Sequence, residues 1–230
     1  MVSALIVAAG KGTRMGQNID KIFLEIAGRP LLAHTWHQFE RANDVEEIIL
    51  VLREGTEDRV RQLAKQFGFK KRFVTVQGGR ERQDSVTNGL GALSPESKVV
   101  AIQDAARPCT SQELIAATIA AARKVGAAVA AQPVTDTIKE SRDGELIDRT
   151  LDRTKLWAVQ TPQAFRVEII RHALLEVGKR GLLVTDDTAA CELIKQPVQL
   201  VVGFGPNPKM TRLEDVPYIE TLLRRAESRP

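Results

Sequence analysis

Ala4-Leu5-Ile6-Val7-Ala8-Ala9-Gly10-Lys11-Gly12-Thr13-Arg14-Met15-Gly16, almost at the start of the chain, carries the reading of the fold. A short apolar run stopped by glycine marks a buried strand, and a glycine turn after a strand lets backbone N–H groups approach a phosphate chain closely. Two well-known glycine loops are excluded. A P-loop would need glycine where Leu5 stands and Ser or Thr where Gly12 stands, and a dinucleotide fingerprint would need glycine at Met15. A secretory leader is not expected either, because no basic segment precedes the apolar run and Lys11 and Arg14 follow it directly; the expected location is the cytoplasm.

Outward from this stretch, short apolar runs alternate with helix-period segments. Strands are expected at Ala4 to Ala8, Glu47 to Leu52, Arg72 to Val76, Val99 to Gln103, Ala127 to Ala131 and Val198 to Val202. Thr56 to Phe67 places Val60, Leu63, Ala64 and Phe67 on one helix face, with Thr56 as the expected cap. Ser111 to Val125 does the same with Leu114, Ile115, Thr118, Ile119, Ala122 and Val125, and Gly126 stops it. Pro30 suits the first turn of a helix carrying Leu31, Leu32, Trp36 and Phe39. Such alternation predicts an α/β fold of Rossmann-like type, a mainly parallel central sheet with helices on both faces and ligands beyond the strands' carboxyl ends. One segment departs from it. Ile138 to Arg149 is heavily charged around Asp143-Gly144, a pair suited to a type I′ hairpin turn, and is too polar to join a core. The expected organisation is one domain, 1–230, with a β-arm at 138–157 projecting from it.

Composition narrows the function classes. Hydrophobic residues make up 43% and charged residues 27% of 230 residues, as in ordinary globular proteins, and no apolar run approaches the ~18–20 residues of a membrane span. Cys109 and Cys191 have no metal-ligand or disulfide spacing, and His34 with His37 lacks further ligands for zinc. The net charge of +4 suits anionic substrates, whereas scattered cations and a single Tyr with two Trp offer nucleic acid no stacking platform. Neither nucleic acid nor membrane is an expected partner.

Further candidates follow later strands. Gln77-Gly78-Gly79-Arg80-Glu81-Arg82-Gln83-Asp84-Ser85-Val86 is another glycine turn entering a helix, and Asp104-Ala105-Ala106-Arg107-Pro108 sets a carboxylate and a guanidinium past a strand. In order along nearly the whole chain stand Ala-Ala-Gly-x-Gly-x-Arg-Met-Gly (8–16) with Lys21, Gly-Gly-x-x-Arg-x-x-Ser-Val (78–86), Asp-Ala-Ala-Arg-Pro (104–108) and Pro-Val-x-Asp-Thr-Ile-Lys (133–139). Asp-Arg-x-x-Leu-Trp-x-x-Gln-Thr-Pro-Gln (152–163), Thr-Asp-Asp (185–187) and Asn-x-Lys-x-Thr (207–211) complete the series. The whole resembles the 2-C-methyl-D-erythritol 4-phosphate (MEP) cytidylyltransferases of isoprenoid biosynthesis. The first motif is shared with many sugar-nucleotide pyrophosphorylases; the 152–163 run and the order of the pieces are more specific.

The resemblance implies a nucleotidyltransferase fold and a homodimer built through the arm. It implies that CTP and a phosphorylated polyol are the substrates and that Mg²⁺ is bound chiefly through CTP phosphates, with Asp104 the one carboxylate to consider for the metal. By the same resemblance Ala8, Ala9, Gly10, Gly12 and Arg14 wrap the triphosphate, and Gly79 and Ser85 form the cytosine pocket. Asp104, Ala105 and Arg107 lie near ribose, triphosphate and acceptor. Arg14 and Lys21 stabilise the transition state, while Thr137, Arg153 and Lys209 hold the acceptor's phosphate. Three alternatives stay open on the residues alone: a ribitol 5-phosphate cytidylyltransferase, a pyrophosphorylase using another nucleotide, and a nucleotide-binding regulatory module without turnover. Thr185-Asp186-Asp187 also reads as a helix N-cap.

Overall fold

Alternating side chains of the central strands are apolar toward both faces, so the sheet must be covered twice. In the computed structural model, which describes residues 1–10, 20–203 and 205–227, this is what is found. The strands are β1 (Val2–Val7), β2 (Glu25–Ile26), β3 (Arg29–Pro30), β4 (Glu47–Leu52), β5 (Arg72–Gln77), β6 (Val99–Asp104), β7 (Ala127–Pro133), β8 (Lys139–Glu140), β9 (Arg149–Thr150), β10 (Trp157–Arg166) and β11 (Gln199–Val202). The helices are α1 (Leu31–Arg41), α2 (Glu57–Phe67), α3 (Arg82–Gly91), α4 (Gln112–Val125), α5 (Val167–Lys179), α6 (Asp187–Leu193) and α7 (Val216–Glu227).

A seven-stranded sheet runs β11-β7-β10-β6-β1-β4-β5. Ala4, Ile6, Ile48 and Leu50 face one way, against Leu32, Trp36, Phe39, Val60, Leu63, Ile115 and Ile119. Leu5, Ile49, Val51, Val100 and Ile102 face the other, against Val86, Leu90, Ile170, Ala173 and Val177. A smaller cluster of Ile26, Leu31, Met210, Ile219 and Leu223 seats α7 and the loop before it. No helix among the described residues is long and apolar enough to cross a membrane.

Parallel register sets Val7 opposite both Val51 and Asp104, and Leu52 opposite Gln77. The loops after β1, β4, β5 and β6 therefore begin at one level along a common edge. The chain goes from β1 outward to β4 and β5, then returns to β6 on the other side of β1. That reversal is the switch point at which open α/β sheets part their loops.

Expected strand ends lie within two residues of those observed, and α4 ends on the expected stop, Gly126 at φ 104°; its cap is Ser111, whose Oγ accepts from Leu114 N. Other expectations need correction. Thr56 does stand at the N-cap of α2, but it makes no side-chain capping bond: its hydroxyl donates to Arg53 O at 2.7 Å instead. Pro30 sits just ahead of α1 and not inside its first turn. Asp143-Gly144 does not make a two-residue turn, because Glu140 pairs with Arg149 and residues 141–148 all lie in the loop. The Asp143 carboxylate organises that loop by accepting from Ser141 Oγ and from the amides of Glu145 and Leu146. As expected of so polar a segment, residues 139–150 are all exposed.

The largest departure is β10, a strand with no counterpart among the expected ones. It runs antiparallel between β6 and β7. Pro162 argues against a central strand, since proline cannot donate to the ladder. The register shift between Val159 and Gln163 takes Gln160, Thr161 and Pro162 out of the pairing and resolves the conflict. Beyond it Phe165 is fully buried. Phe165→Ala is expected to lower the free energy of unfolding by about 3–5 kcal/mol, measured by urea denaturation.

Candidate functional site at the switch point

One glycine lets the loops after β1 and β5 touch, and the next lets the β5 loop fold tightly onto α3. A Cβ on Gly78 would lie 2.3 Å from Ala9 Cβ, and one on Gly79 equally close to Asp84 Cβ. The turn is closed by Gly78 N donating to Leu52 O at 2.8 Å, and by Gly79 N donating to Ser85 Oγ at 3.0 Å. Ser85 in turn donates to Glu81 O, so its hydroxyl fixes the turn to the start of α3.

Beside this contact opens a cavity of about 350 Å³ lined by Ala8, Ala9, Gly10, Lys21, Gly79, Arg80, Arg82, Ser85, Asp104, Ala105 and Lys209 among others. Nine of the expected site residues thus share one cavity: Ala8, Ala9, Gly10, Lys21, Gly79, Ser85, Asp104, Ala105 and Lys209. A second cavity of about 290 Å³ shares Arg82, Asp104 and Lys209 with the first and adds Arg107, Thr161, Gln163 and Asp186. Thr137 and Arg153 line neither cavity. Both are exposed at the base of the arm, where Arg153 Nη1 donates to Thr135 O at 2.5 Å. Gly12 and Arg14, with Lys11, lie outside the described residues. A larger cavity, about 580 Å³ between α3 and α5, contains none of the expected site residues.

Each charged group has a structural reason for its place. Lys21 stands in a 3-10 turn, Lys21–Phe23, whose preceding Asp20 accepts from Arg53 at 2.6 Å; Arg59 lies over the Phe23 ring. Lys21 Nζ donates to Met210 O at 3.2 Å, tying that turn to the last loop. The same loop is anchored by Asn207, which is buried and donates to Thr161 O, while its own carbonyl accepts from Arg107 Nη1 at 2.6 Å. Met210 N completes the seat on Ala106 O. Lys209 is thereby delivered to Asp104, with Nζ 2.6 Å from Oδ2.

Asp104 ends β6 with its carboxylate mostly buried. Burial pushes it toward the neutral form, but Arg82, Lys209 and Arg107 together outweigh burial and hold the carboxyl below its ordinary value. Asp187 is buried more completely, and there burial prevails, raising its pKa despite the neighbouring Arg82. The Thr185-Asp186-Asp187 stretch is a helix cap, as expected: Asp186 Oδ1 accepts from Ala189 N. It is also part of the site wall, since Asp186 accepts from Gln163 Nε2 at 2.8 Å.

Sequence reasoning missed Arg82, Gln163, Asn207 and Asp187 as site residues. All four stand in motifs quoted above, so the signal was position within a motif; their burial and partners are long-range facts. Chemically, the assembly is a cleft with cations at its rim and backbone amides in its loops, and its described residues include no nucleophile–histidine pair.

The family profile described as "IspD: 2-C-methyl-D-erythritol 4-phosphate cytidylyltransferase" matches residues 2–225. Proteins of that name from Pelotomaculum thermopropionicum and Geobacillus kaustophilus are 40% and 41% identical to this chain, with coverage of 99% and 96% of this chain and 96% of each relative. Among solved structures, 4-diphosphocytidyl-2C-methyl-D-erythritol synthase from Anaerococcus prevotii superposes with a TM-score of 0.86 at 34% identity, covering 97% of this chain and 96% of that one. The 2-C-methyl-D-erythritol 4-phosphate cytidylyltransferase from Thermus thermophilus gives 0.80 at 34% identity, covering 96% and 98%.

The Gly78 contact is the one that joins two loops of the cleft, and a Cβ there would meet Ala9 at 2.3 Å. Gly78→Ala is expected to cost about 1–3 kcal/mol of stability by overpacking against Ala9, read from the shift in denaturation midpoint.

Proposed function

The chain belongs to the 2-C-methyl-D-erythritol 4-phosphate cytidylyltransferase family, and on that premise we propose that it transfers CMP from CTP to MEP, giving 4-diphosphocytidyl-2-C-methyl-D-erythritol and pyrophosphate. The observation that carries the reading is the meeting of Lys21, Lys209, Asp104 and the Ala8–Gly10 loop at one cavity on the sheet's switch edge.

The reaction asks little acid–base work of the protein. A phosphate monoester with a second pKa of about 6 is already largely dianionic at neutral pH. The obstacle is electrostatic, because that dianion must approach a triphosphate of like charge. Cations are therefore the catalytic groups expected, and no serine or histidine is required. In this reading Ala8, Ala9, Gly10 and Gly12 present amides to the triphosphate, and Arg14 and Lys21 meet the charge that develops around the α-phosphorus. Each such contact would lower the barrier by roughly 3–4 kcal/mol. Gly79 and Ser85 give the base a small polar pocket that would crowd a purine. Ala105 and Arg107 border nucleotide and acceptor, and Lys209 holds the acceptor's phosphate.

Magnesium fits this arrangement in one way only. The described residues hold no group of three His, Cys, Asp or Glu side chains that would cage a cation. Mg²⁺ binds readily through substrate phosphates and retained water, and Asp104, the carboxylate at hand, already has Arg82 and Lys209 on its two oxygens. When bound, it supplies further neutralisation of triphosphate charge.

The enzyme acts, in this reading, as a cytoplasmic homodimer. The arm at 138–157 has no core to join, yet its tip exposes Leu146 at 74% and Ile147 at 66%, and Trp157 and Val159 are also exposed at its root. A two-fold partner would cover them and would bring Thr137 and Arg153 toward the acceptor phosphate in the other subunit's site.

Pyrophosphate release is expected with CTP and MEP, at a higher kcat/KM than with ATP, GTP or UTP, and than with ribitol 5-phosphate as acceptor. A purine triphosphate that matched CTP would overturn the pocket assignment. Arg14→Ala and Lys21→Ala are each expected to lower kcat by at least ~10²-fold, with smaller changes in KM for MEP. Lys209→Ala should show the reverse balance. The shared site has its own assay, in which Lys21→Ala dimers and Arg153→Ala dimers are mixed and allowed to exchange subunits. Random exchange makes about half the dimers mixed, each with one intact site, so about a quarter of wild-type sites should return. Exchange seen by mass without recovered activity would assign Arg153 to its own subunit.

A further inference from the structure

Arg82 is the charged residue between the two cavities to which the functional reading gives no task. It leaves the first turn of α3 and lines both cavities. Its Nη2 lies 2.8 Å from Asp187 Oδ2, and its Nε 3.4 Å from Asp104 Oδ1. A planar guanidinium can bridge two carboxylates in this way, and a lysine ammonium on its flexible stem is a poor substitute.

The two carboxylates differ. Asp187 is 1% exposed, and among the described residues neither of its oxygens has a well-aligned hydrogen bond, so the Arg82 charge is its compensation. An uncompensated buried carboxylate is strongly unfavourable, which makes Asp187 a fixed anchor for Arg82. Asp104 carries a second cation, Lys209, on its other oxygen. Arg82 and Lys209 are unequal partners, since Arg82 is pinned at its far end to a buried anion and Lys209 is the more exposed of the two.

We infer that Arg82, anchored by Asp187, is a positioning residue that keeps Asp104 neutralised, so that Lys209 can turn to the acceptor's phosphate without baring a carboxylate beside an incoming dianion. Were Arg82 absent, Lys209 would face a choice between a carboxylate 2.6 Å away and the phosphate. Each move toward the phosphate would then open a like-charge contact between Asp104 and the acceptor. The inference rests on the MEP reading above.

Its test is a double-mutant cycle. Arg82→Gln is combined with Asp187→Asn, so that no buried charge is orphaned and the fold is spared. The pair is assayed with Asp104 present and again with Asp104→Asn, at saturating CTP with MEP varied. With Asp104 present, kcat/KM for MEP should fall ~10-fold or more, mainly through KM, while KM for CTP stays within ~2-fold. With Asp104→Asn there is no anion left to neutralise, and the same substitutions should cost less than ~3-fold. Where turnover is too slow to follow, dissociation constants for MEP in the presence of a non-hydrolysable CTP analogue give the same ratio. Arg82→Lys, which keeps the charge and loses the fork, should fall between. An equal loss in both backgrounds, or an equal rise in both KM values, overturns the inference, because Arg82 would then act through the fold or on the nucleotide. Absence of pyrophosphate release by the wild-type chain would overturn the functional reading itself, and this inference with it.

Discussion

A carboxylate at the end of β6 joins parts of the chain that lie far apart in sequence. Asp104 lies at the level where β1 also ends, is largely buried, and is met from opposite sides by the first turn of α3 and by the loop before α7. Burying such a group is unfavourable unless it is paired, so the two cations are a condition of the fold as much as of the chemistry. Once they are in place, residues 82, 104 and 209 are fixed relative to one another. The loop that carries Lys209 is further held by Asn207 and Met210, and Lys21 closes the ring through the Met210 carbonyl.

The charges at this edge explain why the cleft can be both stable and receptive. The cations are not simply exposed to water: Arg82, Arg107 and Lys209 have anionic or carbonyl partners already. A bound polyanion therefore competes with partners of the protein's own. Selectivity then depends on how much of the internal pairing a ligand can replace, and a ligand with too few phosphate oxygens replaces little of it. Among the described residues no histidine lines either cavity. His34, the buried histidine, spends its Nε2 on the Ile26 carbonyl at 2.6 Å in a structural bond.

Much of the frame was legible in the sequence, for a simple reason. β1, β4, β6 and β7 are buried on both faces, so their apolar runs are continuous, and Leu114, Ile115, Thr118, Ile119 and Ala122 repeat at helical spacing because α4 packs with one face. β10 was not legible. Its inner end, Ala164 and Phe165, is core, but Trp157 and Val159 at its outer end are exposed, and Gln160, Thr161 and Pro162 interrupt it between, so no period of two runs through it. Of the site, the residues that stand directly after strands were foreseen and do share a cavity. The Arg82–Asp187 pair was not, because 105 residues separate its members and neither one has a local pattern that betrays burial. Thr137 and Arg153 were legible as motif positions, yet one chain by itself leaves them outside both cavities.

The arm's attachment has a mechanical side. Its two legs leave the sheet from adjacent strands: Trp157 is laddered opposite Pro133, Val134 N donates to Leu156 O, and Arg153 staples its own leg to Thr135. The two legs are thus tied together at their root. The arm's inner end is β10, which lies hydrogen-bonded along β6 up to Gln163 and Ile102, two residues short of Asp104. A load on Leu146 and Ile147 would reach β6 only past Gln160, Thr161 and Pro162, where β10 is unpaired. The arm is in this sense moored to the sheet on the strand next to the one that ends in Asp104.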